Sequence, residues 1–153
     1  MKKKTNQILS FLFFIAIPLL GGYLSSQFSM VNTYSQLYKP DFFPPAWLFA
    51  PVWTILYILM GAAAYLVWKK GEAKEQLFIF SLQLILNLLW SPIFFGLHQY
   101  FWAFIEILIL LIVIIWTIIS FNRKSKTAAY LMIPYLFWVS FATILNYVVF
   151  MIN

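Results

Sequence analysis

Cysteine is absent from this chain of 153 residues, so it can form no disulfide, thiolate nucleophile, zinc–thiolate site or iron–sulfur cluster. Charge is nearly as scarce: Asp, Glu, Lys and Arg together make up 9% of residues, and only four are acidic. An ordinary soluble domain is about a quarter charged. The single histidine, His98, has no second histidine and no carboxylate near it in sequence. No metal site and no resident cofactor is therefore expected. The nucleophile elbow, the phosphate-binding loop, paired catalytic carboxylates and the dinucleotide fingerprint are missing too, which leaves hydrolase, kinase, ATPase and dehydrogenase readings without support.

What the chain has in excess is apolar surface. Hydrophobic residues make up 64% and aromatics 22%, with seven Trp and nine Tyr. A soluble protein of this size cannot bury so much apolar area, because its surface is too large for its volume. Lipid as the solvent removes the difficulty, and Trp and Tyr are the residues favoured at its interfaces. Spanning the hydrocarbon core takes about 20 mostly apolar residues in a helix. Five such segments are expected, over about 8–28, 47–68, 77–97, 101–121 and 128–152. Backbone in lipid must satisfy its own hydrogen bonds, which favours helices. A β-barrel would need alternating polarity, and 107–115 shows none. The expected fold is all-α, a single integral membrane bundle of five transmembrane helices covering 1–153. The first segment, with Pro18 inside it as a kink, is read as an uncleaved helix, since Ser25 and Ser26 form a poor cleavage site.

The formal net charge of +6 does not mark a nucleic-acid surface, because the cations sit in short clusters beside apolar segments. Lys2, Lys3 and Lys4 precede the first span, Lys69, Lys70 and Lys74 follow the second, and Arg123, Lys124 and Lys126 follow the fourth. Five spans put these nine on one side and Lys39 alone on the other. By the positive-inside rule the N-terminus is cytoplasmic and the C-terminus outside, as suits a bacterial cytoplasmic membrane. The longest connection, about 29–46, holds Pro40, Pro44 and Pro45 and is expected to be stiff and extended. No internal repeat is visible, and an odd number of spans argues against a simple inverted-repeat transporter.

Three stripes recur at helical spacing: Trp53, Tyr57, Met60 and Ala64; Asn87, Trp90, Ser91 and Phe94; Trp138, Ala142, Leu145 and Asn146. Together they can surround an aromatic cavity. Aromatic stripes in membranes more often serve helix packing, and asparagines more often bond between helices, so spacing alone leaves both readings open. Trp47, Trp68 and Trp102 lie near span ends, as interfacial belt residues do. Glu106 is the one acidic residue inside a span. It is a functional candidate on that ground, although one turn from a helix start it can also reach the interface and favour the helix N-terminus.

The stretch Leu37-Tyr38-Lys39-Pro40-Asp41-Phe42-Phe43-Pro44-Pro45-Ala46-Trp47 and its continuation Phe49-Ala50-Pro51-Val52-Trp53-Thr54-Ile55-Leu56-Tyr57 resemble the TspO/MBR family of tryptophan-rich sensory proteins, which includes the mitochondrial translocator protein. Leu86-Asn87-Leu88-Leu89-Trp90-Ser91-Pro92, Pro134-Tyr135-Leu136-Phe137-Trp138 and Leu145-Asn146-Tyr147 agree with it. The resemblance implies a five-helix bundle, commonly a homodimer, with a ligand pocket opening towards the first loop. It implies binding of porphyrins such as protoporphyrin IX, and in many members of cholesterol and flat drug molecules. By position, Trp53 and Trp138 look like the pocket tryptophans linked to porphyrin breakdown in some bacterial relatives. Tyr34, Pro44, Asn87, Ala142 and Leu145 look like further pocket positions, and Tyr34 and Pro44 would belong to the lid. Tyr57, Trp90 and Asn146 join them from the stripes. The expected role is a membrane receptor or sensor; a light- and oxygen-dependent porphyrin-degrading enzyme and a tetrapyrrole transporter are the alternatives. Two departures stand out. Asp41 replaces an aromatic or small residue of many relatives, and no basic residue follows Tyr147 to complete the animal cholesterol motif.

Overall fold

A computed structural model describes residues 2–28 and 31–153, with side chains described for 6–28 and 34–153. The side chains of Lys2, Lys3 and Lys4 and the first positions of the expected loop, 29 and 30, lie outside the described residues. Among the described residues every regular element is a helix. Helix α1 covers Lys2–Ser26, α2 Val31–Gln36, α3 Ala46–Trp68 and α4 Lys74–Ser91. A π-helical turn, Pro92–Gly96, prolongs α4; then α5 covers Tyr100–Asn122 and α6 Lys126–Ile152. Five of these stretches are long and apolar enough to cross a membrane: Asn6–Ser26, Ala46–Trp68, Lys74–Gly96, Tyr100–Asn122 and Lys126–Ile152. The expected spans agree with them to within a few residues.

The proline-bearing connection differs from its expectation in its first half. Val31–Gln36 is helical, and the chain leaves the helix only where Pro40, Pro44 and Pro45 approach. Proline restricts itself and the residue before it, not residues several positions upstream. Pro45 itself is extended, at φ −64° and ψ 146°, and α3 starts directly after it.

Small residues decide how closely the helices approach. The core of α3, α5 and α6 contains Ala63, Ala64 and Ala128, all fully buried, beside Met60, Val67, Ile114, Phe121 and Met132. Lipid is as apolar as leucine, so van der Waals packing between close backbones holds such helices together. Helix α1 joins through α3 at Gly61, where an added Cβ would lie 2.5 Å from the Phe14 carbonyl oxygen and 2.6 Å from Ile15 Cα. Pro18 has no N–H to return to that carbonyl. The helix nonetheless continues through Pro18. A second proline is compensated from outside its own helix. Pro92 leaves the Leu88 carbonyl without its usual N–H donor, and the Ser25 hydroxyl donates to that oxygen at 2.7 Å.

Candidate functional site

The aromatic residues of α3 and α4 hold these helices and α1 apart at one end of the bundle. A cavity of about 560 Å³ opens there, walled by α1, α3, α4 and the π-turn, with Tyr34 of α2 at its edge. On the α3 side Trp53 stacks on Tyr57, ring centroids 5.5 Å apart and 28° between planes. Gly22 of α1 makes room for this pair, since a Cβ there would fall 2.1 Å from a Tyr57 ring carbon. On the α4 side Trp90 stacks on Phe94 at 4.8 Å.

Tyr57, Asn87 and Trp90 in this wall each reach a partner on another helix, as a low-dielectric interior requires. Tyr57 donates its hydroxyl to Asn87 Oδ1 at 2.8 Å, and Asn87 Nδ2 donates to the Tyr135 hydroxyl at 3.1 Å. Trp90 Nε1 donates to Asn146 Oδ1 at 2.9 Å, and Asn146 Nδ2 donates to the Tyr100 carbonyl at 3.3 Å. These two relays fix the orientation of Tyr57 and Trp90, both of which line the cavity.

The edge is built from the connection. The Tyr34 hydroxyl donates to the Pro44 carbonyl, and its ring meets Phe49 edge-on at 5.3 Å. Partial burial raises the Tyr34 hydroxyl above its ordinary pKa, so it remains a donor at neutral pH. Lys39 Nζ donates to the Tyr34 carbonyl at 2.9 Å and lies 4.7 Å from the centre of the Tyr34 ring. Sequence proximity suggests that Lys39 pairs with Asp41; in the structure its ammonium turns to Tyr34 instead.

The expected site residues divide into groups. Tyr34, Trp53, Tyr57, Asn87 and Trp90 line the large cavity. Trp138 and Ala142 line a separate void of about 30 Å³, beyond Phe49 and Trp53. Trp138 meets Phe49 edge-on at 5.9 Å, so Phe49 stands between the cavity and Trp138. Pro44 is buried and holds Tyr34. Asn146 supports Trp90 from behind, and Leu145 is buried away from both spaces. The third wall comes from α1 rather than α6, through Leu19, Gly22, Tyr23, Ser25 and Ser26. Leu19, Gly22, Tyr23 and Ser26 fall at i, i+3, i+4 and i+7, a helical face visible in the sequence but bearing no tryptophan to draw notice. Phe49 and Ala46 extend the Trp53 stripe by one and two turns towards the start of α3.

Glu106 does not reach the interface as expected from its place near the start of α5. It is buried, and both carboxyl oxygens lack a hydrogen-bond partner among the described residues. It lines neither space. Among the described residues, those around the large cavity include no carboxylate, histidine or lysine. Chemically the site offers broad ring faces, the Tyr57 and Asn87 polar atoms and a few hydroxyls, which suits a flat apolar molecule with a limited polar edge.

Five apolar helices with an aromatic cavity enclosed by the first three define a polytopic α-helical membrane protein. The chain belongs to the TspO/MBR family, whose family model matches residues 13–152. It is 42% identical to the tryptophan-rich protein TspO of Chlorobaculum tepidum, over 97% of this chain and 98% of that protein. It is 39% identical to the human translocator protein, over 89% of this chain and 85% of that protein. A third relative, the tryptophan-rich sensory protein of Cereibacter sphaeroides, is 35% identical over 74% of this chain and 72% of that protein. The chain is therefore an integral membrane protein of this family.

Proposed function

We propose that this protein is a membrane receptor or sensor that binds porphyrins, protoporphyrin IX among them, and other flat hydrophobic molecules in the aromatic cavity. The observation that carries the reading is the cavity itself: about 560 Å³, lined by the stacked Trp53–Tyr57 pair, Trp90 and Phe95. Small-molecule sites are typically about 300–1,000 Å³, mostly apolar, with few placed polar groups. A macrocycle stacks on indole and phenol faces, while its propionates prefer the wet end near Tyr34 and Lys39. Names of relatives such as "sensory protein" and "translocator protein" support the sensor reading and leave transport as a testable alternative. Assembly as a homodimer, residence in a bacterial cytoplasmic membrane and a cytoplasmic N-terminus belong to the same proposal.

A second reading rests on Trp53, whose indole borders the large cavity directly. Indole is oxidisable, and against a photoexcited porphyrin it can give up an electron, with dioxygen as terminal oxidant. Degradation of the porphyrin would then be an activity of the site, with Trp53 in contact and Trp138 behind Phe49.

The test is quenching of tryptophan fluorescence by protoporphyrin IX in the dark, on the purified wild type, Trp53→Phe and Trp138→Phe. Saturable quenching that weakens in Trp53→Phe is expected. Non-saturating quenching, equal in all three proteins, means that porphyrin only partitions into detergent, and the ligand reading fails. Illumination in air then separates the two readings, since a receptor leaves the porphyrin spectrum unchanged beyond bleaching of the free pigment.

A further inference from the structure

Between α2 and α3 the chain runs without helical hydrogen bonds, so the peptide groups there need partners from elsewhere. At Tyr38 both come from one side chain. The Tyr38 N–H donates to Asn153 Oδ1 at 3.1 Å, and Asn153 Nδ2 donates to the Tyr38 carbonyl at 3.0 Å. One primary amide thus pairs with both main-chain groups of Tyr38, as a neighbouring strand would. The amide is itself oriented by the last turn of α6, since Asn153 Nδ2 and the Asn153 N–H both donate to the Val149 carbonyl, at 3.2 and 3.0 Å. Val149, one turn earlier on the same helix face, packs beneath the neighbouring Leu37 with Phe94 and Ala103.

Tyr38 lies in the segment that joins Tyr34, at the cavity edge, to Pro44 and the start of α3. One residue further on, Lys39 returns to the Tyr34 carbonyl, and Tyr34 in turn reaches Pro44 and the Phe49 ring. The position of the Tyr34 ring beside the cavity therefore depends on where Tyr38 is held. The Leu37 cluster is buried, whereas Tyr38 is 76% exposed and its two bonds to Asn153 lie at the surface. Bonds that compete with water are weak enough to break and re-form without unfolding the bundle.

We infer that Asn153 is a positioning residue for ligand exchange: its amide clasps Tyr38 and so sets how often the Tyr34 edge of the cavity opens. The inference rests on the ligand-binding reading of the cavity, but the clasp itself has a readout that does not. Asn153→Ala removes both bonds, while Asn153→Asp keeps an acceptor for the Tyr38 N–H and loses the donor to its carbonyl.

In nanodisc-embedded protein without ligand, amide hydrogen exchange at Tyr38 is expected to quicken in Asn153→Ala and less so in Asn153→Asp, with an unchanged thermal midpoint. Loss of one or two exposed hydrogen bonds should speed protoporphyrin IX dissociation by about three- to tenfold in stopped-flow, with the same ranking of variants. Unchanged exchange at Tyr38 overturns the clasp, whatever the porphyrin does. Faster exchange with an unchanged dissociation rate overturns the positioning role. Should the wild type bind no porphyrin, the functional proposal fails on its own, and the exchange comparison still decides the clasp.

Discussion

The two ends of the α3 helix pack in opposite ways. Towards its C-terminal end α3 packs against α6 through small residues: Ala63 and Ala64 are fully buried in one core with Ala128 and Ala129 of α6. Towards its start the inward residues are Phe49, Trp53 and Tyr57, and the helices stand apart around a cavity. One helix is thus both a close-packed strut and a cavity wall. The difference is side-chain size at one face, since small residues let backbones approach and stiff rings prop them apart. A rigid half supporting an open half is a suitable frame for a binding site, because the rings are held by relays reaching Tyr135, Asn146 and Tyr100 behind them.

The contrast can be broken most severely at Gly61. An added side chain there meets the main chain of α1, which cannot rotate away as a flexible side chain would. Gly61→Val should cost about 1–3 kcal/mol through overpacking and separate α1 from α3, seen as a lower thermal midpoint in detergent. A wild-type midpoint would mean that α1 shifts freely, and the close approach is not a constraint. Next in size is Trp53→Ala, which removes one face of the cavity but none of the close-packed half. It should weaken protoporphyrin IX binding at least about tenfold by Soret titration, given the ring area and stacking lost, while the midpoint moves less than in Gly61→Val. Equal affinity would place the ligand elsewhere.

Smaller effects sharpen the comparison. Asn87→Leu strands the Tyr57 and Tyr135 hydroxyls at the junction of the two halves. Hydrogen bonds between membrane helices contribute about 0.6 kcal/mol on average and up to about 2, so a modest loss of stability is expected together with a clear loss of porphyrin affinity. Stability lost without affinity would separate the relay from the site. The smallest change is Ser25→Ala, which leaves the Leu88 carbonyl without its hydroxyl donor. A loss of about 0.5–1 kcal/mol in reversible unfolding is expected, and none at all would mean that the π-turn satisfies the carbonyl alone.

Most of the architecture was legible because each span is a long, mostly apolar run with cations gathered beside alternate ends. The α3 and α4 stripes were equally legible, since Trp53 and Tyr57, like Asn87 and Trp90, lie within a turn of each other and share a face. What could not be read was which third helix completes the wall. The Trp138 stripe of α6 has the composition of a cavity face and instead lines a small void behind Phe49, while α1 supplies the wall with no tryptophan at all. Helical spacing defines a face but not its neighbour. Likewise, nothing in the local sequence of Tyr38 points to Asn153, 115 residues away, or in that of Pro92 to Ser25.

The sequence by itself determined the solvent, the number of crossings and the faces that carry rings and amides, because these depend on transfer to lipid and on a helical period that any short segment reveals. Only the tertiary structure decided where the faces meet, which ring screens which, and that a buried Glu106 turns inward rather than to the interface. Those outcomes depend on contacts between residues far apart in the chain, selected by the fit of small and large side chains that no single segment contains.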